Sequence, residues 1–214
     1  RFFSNMSGAE VFLKLENLQS TGSFKVRGAY NKLYKLGKDN SLSKVTCASA
    51  GNHAQGVAFA ASRMNIHSKI FMPIFTPPLK VIATRAYGAD VCLYGNNFDE
   101  AYAEAKKYAE NENATFIEPF DDPYIIAGQG VVGLEIIDQL ENIDEIFVPI
   151  GGGGLISGIA IVAKQINPSI KIIGVESEGT ASMKNSIEKN EILTLPHVSS
   201  IADGIAVKRP GVLT

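Results

Sequence analysis

Short apolar segments of strand length alternate along this chain with longer segments in which apolar residues recur at helical spacing. Residues 11–15 alternate like a strand. Further strand candidates at residues 44–49, 69–72 and 90–94 are each followed by a helix candidate, the last of these at residues 98–110, and the alternation continues to about residue 188. Crossover helices between strands place those strands side by side and parallel. The sequence therefore predicts an α/β fold with parallel sheets and helices on both faces.

The composition excludes several classes of function. The 214 residues carry 20 basic and 22 acidic side chains without a basic run, so no nucleic-acid partner is expected. The apolar runs are far shorter than the roughly 20 residues that cross a bilayer, so no membrane partner is expected. Cys47 and Cys92 lie apart, without the spacing of metal ligands, which predicts reduced core cysteines and a cytoplasmic protein.

One lysine lies where a cation is disfavoured. Ser23 is a candidate N-cap, so Lys25 falls in the first turn of the next predicted helix, near the positive end of its dipole. A neutral amine, or one tied up as a Schiff base, suits that place better, and nucleophilic chemistry requires a lowered amine pKa. A solvated lysine is the commoner alternative, so support for a catalytic Lys25 has to come from other motifs.

Four consecutive glycines, Gly151, Gly152, Gly153 and Gly154, lie between a predicted strand and a helix that begins at about Leu155. Without β-carbons, successive backbone N–H groups can converge on an anion at the helix N-terminus, and phosphate is the natural guest. The Lys-Ser/Thr pair of a P-loop and the G-x-G-x-x-G spacing are both missing. A phosphate site is favoured over the alternative of a tightly packed turn without a ligand.

A second strand-to-helix junction contains Ser49, Ala50, Gly51, Asn52 and His53. Its N–H groups, with a hydroxyl and an amide, suit a carboxylate or a phenolic oxygen, although a simple helix cap is the alternative. A Schiff-base lysine, a phosphate cradle and a carboxylate-binding turn are together the requirements of pyridoxal 5′-phosphate.

The chain resembles the threonine dehydratases, in the serine/threonine dehydratase branch of the fold-type II (tryptophan synthase β-like) enzymes, in five motifs at residues 13–19, 22–29, 49–56, 151–155 and 201–208. The resemblance implies a Schiff base between Lys25 and the cofactor. It further implies that Phe24 packs near the ring, Asn52 contacts the 3′-hydroxyl, residues 151–155 hold the phosphate, Gly204 lies at the other side of the cofactor and residues 49–53 surround the substrate carboxylate.

The resemblance also implies a lyase that converts L-threonine, L-serine or both to 2-oxobutyrate or pyruvate plus ammonia, in amino-acid metabolism such as isoleucine biosynthesis. It implies a small amino-acid substrate and a homo-oligomer, either a dimer or a tetramer. It predicts a small mobile domain at residues 44–121 inserted in a larger domain formed by residues 1–43 and 122–214. The family's partner for the pyridine nitrogen would follow Thr214, so the chain looks truncated.

Three positions depart from the family pattern. Ala50 stands where serine racemases carry a serine that acts on the opposite face of Cα, which favours elimination over racemisation. Ser182 stands where metal-binding relatives carry an acidic residue six positions after a glutamate, so Glu176 is only a weak metal candidate. Val131 replaces the usual threonine. The alternatives are a serine racemase or another β-eliminating or β-replacing relative, and a catalytically silent phosphate- or amino-acid-binding module.

Overall fold

The computed structural model of the protein describes residues 1–39 and 42–214; Asn40 and Ser41, which fall inside the predicted segment 1–43, lie outside the described residues. The helices are α1 Phe2–Ser7, α2 Lys25–Leu36, α3 Asn52–Arg63, α4 Pro78–Ala86, α5 Phe98–Asn111, α6 Pro123–Gln139, α7 Gly154–Ile166 and α8 Ser182–Lys189. The strands are β1 Lys44–Ala48, β2 His67–Met72, β3 Asp90–Leu93, β4 Thr115–Phe116, β5 Glu145–Pro149 and β6 Lys171–Val175. Within the described residues, none of these helices is both long and apolar enough to cross a bilayer.

The first sheet contains four parallel strands in the order β3-β2-β1-β4. Cys47 of β1 lies opposite Ile70 of β2, and both side chains are fully buried. Helices cover both faces. The larger core joins this sheet to α2, α3 and α4, and a smaller core joins it to α5 through Ala48, Phe71, Ala101 and Ala105. Burial on both faces explains why Val45, Thr46, Cys47 and Ala48 of β1 are buried in succession rather than at alternate positions.

The second sheet pairs β5 with β6 in parallel, from Glu145 opposite Lys171 to Pro149 opposite Val175. Its core is shared with α6 and α7 and includes Val148, Ile159 and Ala163. Two parallel sheets with crossover helices confirm the predicted α/β class. The division into a small domain at 44–121 and a larger one around it stays a prediction, although the first sheet lies entirely within that range.

Helix α2 lies between the two sheets, against α3 on one side and α6 on the other. The contact with α6 is a close approach of two glycines: a β-carbon on Gly128 would lie 2.6 Å from the Cα of Gly28 and 2.7 Å from the carbonyl oxygen of Arg27. Gln129 is buried beside them, and its Oε1 accepts the N–H of Gly28 at 3.2 Å. The two helix backbones can touch only because neither glycine carries a side chain.

Arg27 holds the segment before α2 in place. Its guanidinium donates two hydrogen bonds to Glu16, at 2.8 and 2.9 Å, and two to Glu135 of α6, both at 2.7 Å. These bidentate bonds lower the pKa of Glu135 to about 2 and raise that of Arg27 above its usual value. Lys14 also contacts Glu135, at 2.6 Å, so the network ties residues 14–16 to both helices.

The strand predicted from the alternating residues 11–15 is wrong. These residues form neither strand nor helix, and Phe12, Leu13 and Leu15 are all more than half exposed. Alternation describes which side chains point to each face, but a strand exists only where a neighbouring strand supplies hydrogen-bond partners. Neither sheet of the described residues extends to this segment.

We expect Gly128→Ala to lower the free energy of unfolding by roughly 1–3 kcal/mol, because the added methyl meets backbone atoms that cannot rotate away. Gly37→Ala is the matched control, since a β-carbon there meets nothing within 4 Å. Chemical denaturation of both variants measures the difference, and equal stabilities would contradict the close approach.

Candidate active site

Lys25 is the first residue of α2. The prediction that Ser23 is the N-cap is wrong by one residue: Phe24 occupies that position, and its side chain makes no capping hydrogen bond. The Oγ of buried Ser23 instead accepts the backbone N–H of Lys25 at 3.3 Å. The Lys25 Nζ donates to the carbonyl oxygen of Pro119 at 2.5 Å. It lies 5.6 Å from the ring centroid of Phe24 and 5.9 Å from that of Phe120. The amine is therefore enclosed by two aromatic rings and one carbonyl group.

Burial lowers the pKa of the Lys25 amine from its usual 10.5 to about 8, because the enclosed site disfavours the charged form. The neighbouring rings and the Pro119 carbonyl attract the charged amine, but this attraction offsets only part of the cost of burying the charge. At pH 8 about half of such an amine is neutral, whereas an ordinary lysine is almost wholly charged. The position thus provides the neutral nucleophile that the dipole argument called for.

The glycine turn connects β5 to α7. Gly153, the residue before the helix, has a φ of 98°, a backbone conformation that residues other than glycine rarely adopt. Gly152, Gly153 and Gly154 are buried, and Gly151 and Leu155 are half-buried. The first N–H groups of α7 have no partner within the helix, so this turn offers donors at the positive end of the dipole.

Phe120 joins the lysine to the glycine turn. A β-carbon on Gly152 would overlap the Phe120 ring, and one on Gly154 would lie 2.9 Å from the Phe120 carbonyl oxygen. The same ring faces the Lys25 Nζ. The amine and the turn, which are more than 120 residues apart in sequence, therefore lie on two sides of one aromatic residue.

The second junction, residues 49–53, lies close to the same lysine. Helix α3 begins at Asn52, and a β-carbon on Gly56 would lie 3.0 Å from the Lys25 carbonyl carbon, so the backbones of α3 and α2 touch. The Ser49 Oγ accepts the N–H of Gly51 at 3.2 Å, which shapes the turn. Ala50 is half-buried and adds no polar group.

His53 contributes differently from its neighbours. Its side chain is buried, and its Nε2 lies 3.0 Å from the carbonyl oxygen of Ile117. Burial, with a smaller effect of the nearby Lys25 charge, lowers the pKa of the imidazole to about 3, so the ring is neutral and donates to that carbonyl. The His53 ring therefore holds the segment leading to Pro119, and only its backbone is left to face a substrate.

Asn52 and Gly204 lie together. A β-carbon on Gly204 would lie 3.9 Å from the Asn52 Nδ2, and both residues are exposed. The segment after Gly204 in turn contacts the glycine turn, since a β-carbon on Gly151 would lie 3.0 Å from Cγ2 of Val207. The three motifs predicted to bind one cofactor are thus neighbours in space.

Glu176 caps a helix. Its carboxylate accepts the N–H of Met183 at 3.0 Å and that of Lys184 at 2.8 Å, at the start of α8. Ser182, at the position where an acidic residue would complete a metal site, is fully buried, and its hydroxyl has no hydrogen-bond partner among residues 1–39 and 42–214. In the same described residues, no group of three or more His, Cys, Asp or Glu side chains is placed to hold a metal ion.

Residues 119–121 were not predicted to belong to the site. They follow the two-residue strand β4 and carry no motif, yet Pro119 and Phe120 contact Lys25. An aldehyde requires an amine of lowered pKa to react with, and a phosphate group requires a turn whose backbone it can approach closely. The Lys25 amine and the glycine turn, where β-carbons would leave no space, provide the two side by side. The residues present therefore fit pyridoxal phosphate.

Comparison with known proteins agrees with this arrangement. Residues 1–214 match the family described as "Pyridoxal-phosphate dependent enzyme". The L-threonine ammonia-lyase of Geobacter sulfurreducens is 50% identical over 212 residues, which are 99% of this chain and 53% of that relative. The chain thus spans about half the length of this curated relative.

Two solved structures show the same fold. The processed form of threonine deaminase isoform 2 from Solanum lycopersicum has a TM-score of 0.96 and 47% identity, covering 100% of this chain and 59% of that one. Maize serine racemase has a TM-score of 0.95 and 38% identity, covering 100% of this chain and 64% of that one. Proteins named as a deaminase and as a racemase therefore share this architecture.

We expect the rate at which Lys25 reacts with a small aldehyde to rise with pH around a midpoint near 8, because only the neutral amine attacks and burial lowers its pKa. Reductive trapping followed by peptide mass spectrometry measures the rate at each pH. Lys35, exposed on the same helix, is the internal control for a lysine that is not enclosed. One shared midpoint for both lysines would contradict the enclosed amine.

Proposed function

The chain belongs to the family of pyridoxal-phosphate dependent enzymes, and from that membership we propose that it converts L-threonine, L-serine or both to the 2-oxo acid and ammonia. The observation that carries the proposal is the meeting of the low-pKa Lys25 amine and the glycine turn on two sides of Phe120. The identity to threonine ammonia-lyases supports the choice of reaction.

The residues that would hold the cofactor follow from their positions. Lys25 would attach it covalently, and Phe24 would pack against its ring. Residues 151–155 would bind its phosphate through backbone N–H groups. Asn52 would donate to its 3′-hydroxyl, with Gly204 leaving space beside it.

Pyridoxal phosphate, when bound, supplies an electron sink for the pair left behind when the Cα–H bond of an amino acid breaks. Lys25 Nζ is the base that takes the Cα proton, because a pKa near 8 leaves about a tenth of the amine neutral at pH 7 and about half at pH 8, whereas an ordinary lysine is almost wholly charged. The Phe24 and Phe120 rings keep water away from that nitrogen. The β-hydroxyl of the substrate then leaves, and the net products are 2-oxobutyrate or pyruvate with ammonia.

Residues 49–53 would orient the substrate. The N-terminus of α3 presents backbone N–H groups at the positive end of a helix dipole, which suits the substrate carboxylate. The His53 ring is already bonded to Ile117, so the backbone and the Ser49 hydroxyl are the groups left for this contact. Ala50 provides no proton donor, which favours elimination over racemisation.

The predicted mobile domain at residues 44–121 is part of the proposal. Helix α4 of this range contacts the rest of the chain through an exposed ion pair, Lys80 to Asp203 at 2.8 Å, and the hydroxyl of Tyr87, which ends the helix, donates to the Ser20 carbonyl at 2.8 Å. Exposed pairs contribute only about 0–1 kcal/mol. The apolar core that joins the first sheet to α2 is the stronger connection, so the proposed closing motion over the substrate would turn about that core.

We also propose a cytoplasmic location and a homo-oligomeric assembly. Both cysteines are free thiols, which supports a cytoplasmic location. A homo-oligomer, dimer or tetramer, is the expected assembly, and sedimentation equilibrium of the purified protein tests it.

We expect Lys25→Ala to abolish 2-oxobutyrate formation from L-threonine, a loss of at least about a thousandfold, because both the covalent attachment and the base at Cα are removed. The assay follows the 2-oxo acid in the cofactor-loaded enzyme. Lys35→Ala on the exposed face of the same helix is the control and should retain activity. A Lys25→Ala variant that still dehydrates threonine would eliminate the proposed role.

We expect Ala50→Ser to increase the formation of D-serine from L-serine, because the new hydroxyl supplies a proton donor beside Cα. The resemblance to maize serine racemase supports this test. Chiral chromatography of the product measures it, with Ala50→Gly as a control that changes volume without adding a hydroxyl. If the unaltered protein already forms D-serine and no 2-oxo acid, it is a racemase; a protein that binds the cofactor and transforms neither substrate is the silent binding module.

A further inference from the structure

Asp121 carries no role in the function proposed above, although it makes an unusual set of contacts. Its Oδ2 accepts the backbone N–H of Val212 at 2.8 Å. Its Oδ1 accepts those of Leu213 at 2.9 Å and Thr214 at 3.2 Å. One carboxylate thus binds three consecutive N–H groups of a segment more than 90 residues away, and charge-assisted bonds of this kind are stronger than neutral ones.

The segment that Asp121 binds is in turn attached to the glycine turn. The Thr214 Oγ1 donates to the carbonyl oxygen of Gly152 at 2.7 Å, and the Gly211 N–H donates to the same oxygen at 3.2 Å. A β-carbon on Gly153 would lie 2.7 Å from the Thr214 Cβ, so residues 211–214 also pack directly against the turn.

These two bonds determine the orientation of one peptide plane. The C=O of Gly152 and the N–H of Gly153 belong to the same trans peptide and point in opposite directions. With the carbonyl directed at residues 211–214, the Gly153 N–H must point away from them. Gly153 could not compensate by adopting a common backbone conformation, because its φ of 98° is already set by the entry into α7.

We propose that Asp121 is a positioning residue for the phosphate cradle: by holding residues 211–214 against Gly152, it aims the Gly153 N–H at the cofactor phosphate. The inference rests on the proposed function, since it assigns the phosphate to this turn. Asp121 acts at a distance and touches neither the cofactor nor the substrate. The neighbouring Phe120 and Pro119 contact Lys25, so the same short connector sets the amine and the cradle together.

The test compares two ligands that differ only in the phosphate. The dissociation constants of pyridoxal phosphate and pyridoxal are measured by spectrophotometric titration of the purified apoprotein. Asp121→Asn should raise the dissociation constant of pyridoxal phosphate about tenfold, the usual effect of losing one charge-assisted hydrogen bond. The dissociation constant of pyridoxal should stay unchanged. Thr214→Val, which removes one of the two donors to Gly152, should produce a smaller loss in the same direction.

Asp122→Asn is the matched control. Asp122 is the next residue, but its carboxylate caps α6 through Tyr124 and Ile125 and pairs with Lys32 at 2.6 Å. The Asp122→Asn variant should lower the thermal midpoint of unfolding without changing the ratio of the two dissociation constants. If Asp121→Asn fails to fold, Thr214→Val alone decides the question.

The outcomes separate this inference from the function on which it rests. Equal weakening of both ligands, or no change in either, in Asp121→Asn and Thr214→Val overturns the positioning role. Unaltered protein that binds pyridoxal phosphate no more tightly than pyridoxal overturns the phosphate cradle itself, and unaltered protein that binds neither overturns the proposed function.

Discussion

The structure depends on the close approach of four helices around the start of α2. Glycines make that approach possible: Gly28 of α2 faces Gly128 of α6, Gly56 of α3 faces the backbone of Lys25, and Gly158 of α7 faces Gly130 of α6. Side chains at these points would separate the helices and with them the two sheets. Because the backbones touch, the first residue of α2 lies at the junction of both sheets, where elements from each can reach it.

Enclosure at this junction gives Lys25 its chemistry and imposes a cost. The same burial that lowers the amine pKa to about 8 disfavours its protonation on folding. The unfolded chain therefore binds more protons than the folded one between pH 8 and 10.5, so this residue's contribution makes the fold more stable as pH rises through that window. A residue kept at such a position is explained by reactivity rather than by stability.

The connector from Ile117 to Asp122 brings the separate parts of the site together. The neutral His53 ring binds its first residue, and the Lys25 amine binds the Pro119 carbonyl. Phe120 fills the space beside the glycine turn, and Asp121 anchors residues 211–214. Each contact comes from a different element, so this one connector touches both the amine and the turn.

Local properties of the sequence determined the elements and the candidate motifs. Helical periodicity predicted a helix at residues 98–110, and α5 extends over Phe98–Asn111. The glycines at 151–154 predicted an anion-binding turn because the absence of β-carbons is a property of the residues themselves. Lys25 was identified in the same way, from its distance to a helix start. Its combination with the other two motifs indicated the cofactor, and the family resemblance agreed.

Only the tertiary structure decided which residues surround those motifs. The strand expected at residues 11–15 failed because a strand needs a partner that no local pattern reveals. The pKa of Lys25 is lowered by burial, to which Phe120, 95 positions away, contributes one wall. The backbone N–H groups that Asp121 binds lie 91 to 93 positions away. Desolvation and backbone hydrogen bonds across such separations depend on how the sheets and helices pack, and that packing is a property of the whole chain.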